Sequence, residues 1–241
     1  MTRNVLITGG GTGIGQAVAA SFAAAGDKVS ILGRRPEPLQ ATAVRLGPGV
    51  SPVVCDATDP AQLQAVLAGL PDPIDVLVHC AGGNTDFDRP APNDLAGLAA
   101  GWRANLDANL LSAVLVTAAV NDRLAAGGTV VNIGSIAADK GAGAYGAAKA
   151  AVAAWNVDLA AQLGPRGVTA NVVSPGYIAD TEFFRDQLTD ERRVALVDAT
   201  MTGRAGHPDD IAGAVAFLAS PAARQITGQV LPVNGGERTT R

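Results

Sequence analysis

Asn4-Val-Leu-Ile-Thr8 is a short apolar run, Gly9-Gly-Gly-Thr-Gly13-Ile-Gly15 follows it directly, and an Ala-rich stretch then continues to about Ala25. Branched apolar residues favour a strand, glycines a tight turn and alanines a helix. A strand that turns at once into a helix is the opening half of a βαβ unit. The same alternation continues along the chain, with strands expected near 4–8, 28–32, 51–55, 74–79, 129–134, 168–173 and 229–233. Helices are expected near 13–25, 37–46, 60–69, 94–126, 144–163 and 208–219. Seven parallel strands with helices on both faces make a doubly wound, three-layer α/β/α sheet. The breaks between elements, such as Gly47-Pro48-Gly49, Pro71-Asp-Pro73 and Gly127-Gly128, are turn-like and too short for linkers. One domain over 1–241 is the expectation. Residues 177–206 break the rhythm: Phe183, Phe184, Leu188, Leu196 and Met201 stand among charges, as in a helical lid over the carboxyl edge of the sheet.

A glycine turn of this kind lets the backbone approach a ligand closely, and the free amides at the helix start attract phosphate. The spacing Thr8-Gly9-x-x-x-Gly13-x-Gly15, in the first strand of an alternating chain, marks a pyrophosphate seat for a dinucleotide. Further along, Tyr145-Gly-Ala-Ala-Lys149 lies in an Ala-rich run ten residues after Ser135. A four-residue separation puts the phenol and the ammonium on one helical face. Thr129-Val-Val-Asn-Ile133 reads as a strand, so Ser135 sits at a strand exit. A hydroxyl, a phenol and an ammonium thus converge on one small volume. Asp56 after the third strand, Ala81-Gly82 after the fourth, Asn109 in a long helix, Asn132-Ile-Gly-Ser135, Ser174-Pro-Gly176 with Thr181, and the ending Ile226 to Gly236 complete an ordered series.

That series resembles the short-chain dehydrogenase/reductase family over the whole chain, and within it carbonyl reductases of the 3-oxoacyl-(acyl-carrier-protein) reductase type. The resemblance implies a Rossmann-like fold and catalytic residues Asn109, Ser135, Tyr145 and Lys149. It implies that Thr8, Gly9, Gly11, Thr12, Gly13, Ile14 and Gly15 cradle the cofactor, with Gly33, Arg34, Arg35, Asp56 and Ala57 at its adenosine end. Ala81, Gly82, Pro175, Gly176, Ile178 and Thr181 would line the rest, with Tyr145 and Lys149 also touching cofactor. A hydride arriving at a carbonyl carbon leaves charge on oxygen, which needs a proton and hydrogen bonds. Tyr145 is the expected donor. A phenol near pKa 10 needs positive charge to act at neutral pH, which Lys149 and the oxidised nicotinamide would supply. Ser135 would hold the substrate oxygen, and Asn109 a water beside the lysine, with Asn105 as its rival. Thr181 would bind the nicotinamide end or else cap a helix, and Tyr177 would face the substrate or the core.

Cofactor choice rests on the end of the second strand, where Gly33-Arg34-Arg35 stands in place of the carboxylate that binds an NAD ribose. Two guanidiniums pair with a 2′-phosphate, so NADPH is expected over NAD. Departures from the family pattern are His79-Cys80 in place of two asparagines, and a shortened Ser135-to-Tyr145 interval. The substrate is expected to be a small-molecule carbonyl, with a 3-oxoacyl or polyketide-like group among the options and acyl carrier protein or a coenzyme A thioester as the carrier. Arg123, Lys140 and Arg166 are the nearest basic candidates for a carrier. NAD-dependent oxidation of a secondary alcohol or polyol is the alternative, and a non-catalytic cofactor sensor a minor one. A formal net charge of −4 argues against nucleic acid, and no apolar run is long enough for a membrane span. With no signal-like start, a cytoplasmic location is expected. Cys55 and Cys80 fall on strands about three spacings apart, roughly 14 Å, and are read as reduced thiols. His79 and His207 offer no metal cage, while His207-Pro208 reads as a helix start. The family's habit implies a homotetramer packed through the helices carrying Asn109 and Tyr145.

Overall fold

A computed structural model of the chain describes residues 2–239. Its strands are β1 (Asn4–Thr8), β2 (Lys28–Gly33), β3 (Val50–Val54), β4 (Ile74–His79), β5 (Leu124–Ile133), β6 (Thr169–Pro175) and β7 (Val230–Val233). They form one parallel sheet in the order β3-β2-β1-β4-β5-β6-β7, the Rossmann-like arrangement expected from the sequence. The helices are α1 (Gly13–Ala24), α2 (Pro36–Leu46), α3 (Pro60–Val66), α4 (Leu95–Leu106), α5 (Ser112–Val120), α6 (Ala137–Lys140), α7 (Gly143–Leu163), α8 (Asp190–Asp198) and α9 (Pro208–Leu218). Side chains alternate across a strand, so each strand feeds two cores. Val5 and Ile7 of β1 pack with Phe22 of α1, Leu39 of α2 and Ile211 of α9 on one face. Leu6, between them, packs on the other face with Val116 of α5 and Leu159 and Leu163 of α7. Burial on both faces explains the near-continuous apolar character of β1 and β4.

Two boundaries differ from those read in the sequence. Helix was expected to reach 126 and the fifth strand to start at 129, but Leu124 already pairs with Ile74 and the ladder slips between Ile74 and Val76. The cause is the glycine pair. Gly127 takes a left-handed φ of 71°, and a Cβ on Gly128 would lie 2.9 Å from the Ala125 carbonyl. These glycines make a bulge inside the strand instead of a turn before it. The long helix also carries a π turn, Asp107–Leu111, between α4 and α5. The 177–206 segment, read above as a lid, is pinched at its base by a bridge between Ile178 and Gly206. It contains a short 3₁₀ turn, Glu182–Phe184, and α8. No helix among the described residues is long and apolar enough to cross a membrane.

Candidate active site

The carboxyl ends of a parallel sheet open into a crevice where the strand order reverses, here between β1 and β4. A cleft of about 920 Å³ lies there. Its floor at β1 is built by glycine. Gly9 has φ 70° and its amide donates to the Leu32 carbonyl at 2.7 Å. A Cβ on Gly9 would stand 2.7 Å from the Ala81 amide nitrogen, and one on Gly15 only 2.2 Å from the Gly9 carbonyl oxygen. Thr12 at the start of α1 makes no side-chain cap, and no acidic residue sits in that helix's first turn. Unclaimed amides and the positive end of the helix dipole therefore face the cleft, as a phosphate requires. Gly11, Thr12, Gly13 and Ile14 line the same wall, and Gly33, Arg34, Arg35, Asp56 and Ala57 extend it across the ends of β2 and β3. Asp56 accepts from the Thr58 amide at 2.9 Å and its hydroxyl at 2.7 Å, both through Oδ1.

Ser135, Tyr145 and Lys149 meet at the opposite wall. Ser135 follows β5, and its hydroxyl accepts from the Ala137 amide at 3.1 Å. Tyr145 and Lys149 are one turn apart on α7, both buried. Lys149 Nζ donates to the Ile133 carbonyl at 2.8 Å and stands 5.9 Å from the centre of the Tyr145 ring. Burial pushes the phenol up to about 12, and its contact with Ser135 offsets only part of that; the lowering expected above draws on Lys149 together with the oxidised nicotinamide. Burial draws Lys149 itself down to about 8, opposed by the Cys80 sulfur.

Three expected site residues, Asn109, its rival Asn105 and Thr8, lie behind the cleft wall and not on it. Asn109, in the π turn, does not line the cleft: its side-chain oxygen accepts from the Gly83 amide at 3.0 Å, and its amide donates to the Gly83 and Asn105 carbonyls at 3.0 and 2.9 Å. Asn105 accepts from the Thr85 amide at 3.2 Å and donates to Asp86 at 2.8 Å. Both asparagines clamp the loop that leaves β4. Thr8 is buried, and its hydroxyl accepts from the Ala81 amide at 3.1 Å, which ties β1 to the same loop. That tie and the Cys80 amide donating to the Thr8 carbonyl at 3.1 Å hold the region where His79-Cys80 replaces two amides. His79 itself meets Thr117 Oγ1 at 2.8 Å.

Gly82, Pro175, Gly176, Ile178 and Thr181 line the rest of the cleft. Thr181 precedes a helical turn without capping it; its hydroxyl donates to the Ile178 carbonyl at 3.2 Å. Arg35 is engaged with Glu182 of the lid at 2.8 Å across the cleft mouth, while Arg34 has no ion-pair partner among the described residues. Sequence reasoning missed Phe87 and Glu237. Phe87 stacks with the lid, and no motif announces it. Glu237 is a buried carboxylate paired with Lys140, and its Oε2 has no partner. Arg123 and Arg166 immediately precede β5 and β6, at the amino edge away from the cleft, and bond backbone carbonyls there. His207 opens α9 in a reciprocal capping arrangement with Asp210.

Comparison with known proteins agrees with this fold. The family described as enoyl-(acyl carrier protein) reductase matches residues 9–237. The 3-oxoacyl-(acyl-carrier-protein) reductase FabG of Escherichia coli K12 is 35% identical over 96% of this chain and 95% of its own. Galactitol 2-dehydrogenase (L-tagatose-forming) of Cereibacter sphaeroides is 33% identical over 95% and 92%. The crystal structure of a short-chain dehydrogenase/reductase family oxidoreductase from Burkholderia thailandensis superposes with a TM-score of 0.84 at 39% identity, covering 98% of this chain and 93% of that one. The chain belongs to the short-chain dehydrogenase/reductase family of oxidoreductases. That family works with a nicotinamide cofactor, and the tight glycine turn, where a Cβ at Gly9 or Gly15 would collide with the backbone, leads into a helix start without a side-chain cap or acidic residue that fits its pyrophosphate.

Proposed function

We propose that this protein reduces a ketone to a secondary alcohol with NADPH, using Tyr145 as the general acid. The observation that carries the reading is the meeting of Ser135, Tyr145 and Lys149 on one wall of a cleft whose other end is a glycine cradle. The reduced nicotinamide, when bound, supplies a hydride to the carbonyl carbon. The Ser135 hydroxyl orients the carbonyl oxygen, and the Tyr145 hydroxyl gives it a proton as negative charge develops there. Lys149, fixed by the Ile133 carbonyl, holds ribose hydroxyls and restores positive charge near the phenol. Asp56 takes the adenine amino group, and Pro175, Gly176, Ile178 and Thr181 bound the nicotinamide end. Asn109 acts as a positioning residue that sets the loop bearing Ala81 and Gly82.

Arg34, exposed at the end of β2, favours NADPH because its guanidinium is available to a 2′-phosphate. The second reading, NAD-dependent oxidation of a secondary alcohol or polyol, is favoured by the Arg35–Glu182 pair, which occupies half of the arginine set. A carrier-bound thioester substrate belongs to the first reading; Arg123 and Arg166 lend it no docking surface on the cleft side. A single domain, a cytoplasmic location and a homotetramer complete the proposal. Exposed Leu95, Leu98 and Trp102 on α4, and Val157 on α7, support assembly through those helices. Fluorescence titration with NADPH and NADH, repeated on Arg34→Asp, tests the cofactor choice. Tighter NADPH binding lost in the variant supports the reductase; preference for NADH, or indifference to the change, supports the oxidative reading.

A further inference from the structure

The chain has only two tyrosines and five phenylalanines, yet both tyrosines and three of the phenylalanines gather at one end of the cleft. Phe183 lies 5.5 Å from the Tyr145 ring and 5.0 Å from Phe184, Phe87 lies 5.8 Å from both phenylalanines, and Tyr177 lies 6.0 Å from Phe184, all centre to centre. The rings come from three separate segments: the exit of β4, the helix α7 and the lid after β6. They therefore converge by tertiary design and not by sequence proximity.

Several of the lid's polar groups hold it in place, while Arg192 lies over the Phe184 ring, 5.4 Å from its centre. Arg185 makes two bonds of 3.0 Å to Asp88, and Gln187 donates to the Phe87 carbonyl at 2.9 Å. Asp180, Arg185 and Asp186, which bracket the two phenylalanines, take left-handed φ values of 56°, 49° and 61°. These are the non-glycine residues with positive φ among the described residues; Asp takes this region readily, so Arg185 is the uncommon case, and its contacts to Asp88 hold it there. The lid is thus built to present aromatic faces beside the Tyr145 phenol.

From this juxtaposition we infer that the substrate carries an aromatic ring on, or one bond from, the reacting carbonyl; the inference rests on the ketone reduction proposed above. The substrate oxygen must reach the Tyr145 hydroxyl, so the group on the carbonyl carbon falls against Phe183 and its neighbours. An aryl group there meets ring edges and faces at the 4.5–7 Å spacing that aromatic pairs favour. A polyol would press several hydroxyls against the aromatic rings and would lose hydrogen bonds to water there.

The test compares ethyl benzoylacetate with ethyl acetoacetate, which differ only in phenyl for methyl on the reacting carbonyl. The ratio of their kcat/KM values is measured with NADPH and with NADH on the wild type, Phe183→Ala and Phe183→Leu, with melting curves to confirm folding. Leucine keeps the apolar volume while removing the ring. The expected wild-type ratio is at least ten in favour of the phenyl ester, falling at least threefold in Phe183→Leu and to near one in Phe183→Ala. A wild-type ratio at or below one, or an unchanged ratio in both variants, overturns the aromatic assignment while leaving ketone reduction standing. Turnover of neither ester by a protein that binds the cofactor counts against the reduction itself, and the inference falls with it.

Discussion

Acid should unfold this protein through one histidine. His79, at the end of β4, is buried; its Nε2 meets Thr117 and its Nδ1 has no partner. A charged imidazole there would lose its water and gain no carboxylate, so burial draws its pKa from 6.5 down to about 3. Above pH 6.5 both folded and unfolded chains hold a neutral ring, and the contribution to stability is complete. As pH falls from 6.5 toward 3, the unfolded chain takes up a proton that the fold refuses, and stability drops. At pH 5 the loss is about 2 kcal/mol, rising to the order of 4–5 kcal/mol by pH 3. Urea unfolding of the wild type and His79→Asn, at pH 7 and pH 5 and one protein concentration, isolates this effect because the carboxylates titrate alike in both. The wild type should lose about 2 kcal/mol more than the variant between the two pH values. Equal losses would refute the reasoning and mean that the ring is charged or exposed in the fold.

Other perturbations have equally definite outcomes. Gly15→Ala drives a Cβ to 2.2 Å from a backbone oxygen, so it should lower the melting temperature through about 1–3 kcal/mol of overpacking and weaken NADPH binding at least tenfold by titration. Lys149→Met removes a buried ammonium, held at about 8 against 10.5 when exposed; without cofactor the variant should be more stable near pH 7 by up to about 3 kcal/mol, although activity is lost. The wild-type stability should rise relative to that variant between pH 8 and 10.5, where the unfolded lysine stays protonated and the folded one does not. Glu182→Gln releases Arg35, and since the pair is exposed the gain is under about 1 kcal/mol, or up to fivefold tighter NADPH binding by fluorescence, with NADH changing less than twofold.

The sheet was legible because its signals are local. Strands such as β1 and β4 are near-continuously apolar, and the glycine spacing at Gly9–Gly15 directly after the first strand separates a phosphate turn from a plain tight turn. Tyr145 and Lys149 were legible for the same reason, since helical spacing alone puts them on one face. Where the sequence misled, tertiary contacts decided. Gly127-Gly128 looks like a turn, but pairing between Leu124 and Ile74 makes it a bulge. Asn109 sits where the family motif places it, yet its amide is drawn to Gly83 by a loop 26 residues away in sequence. The aromatic cluster was hidden because Phe87 and Phe183 lie far apart in the chain and share no periodicity. The phenol's rise to about 12 was hidden because burial is a property of the assembled fold and not of local spacing.

The central claim is that Tyr145 delivers the proton. Turnover of Tyr145→Phe should be compared with that of the wild type on the ketone ester the wild type reduces fastest, with NADPH affinity titrated in parallel. The account predicts NADPH binding within about threefold of wild type and a turnover lower by roughly 10²–10⁴, the usual contribution of a positioned general acid. A variant that binds NADPH and reduces the ketone as fast as the wild type would contradict it.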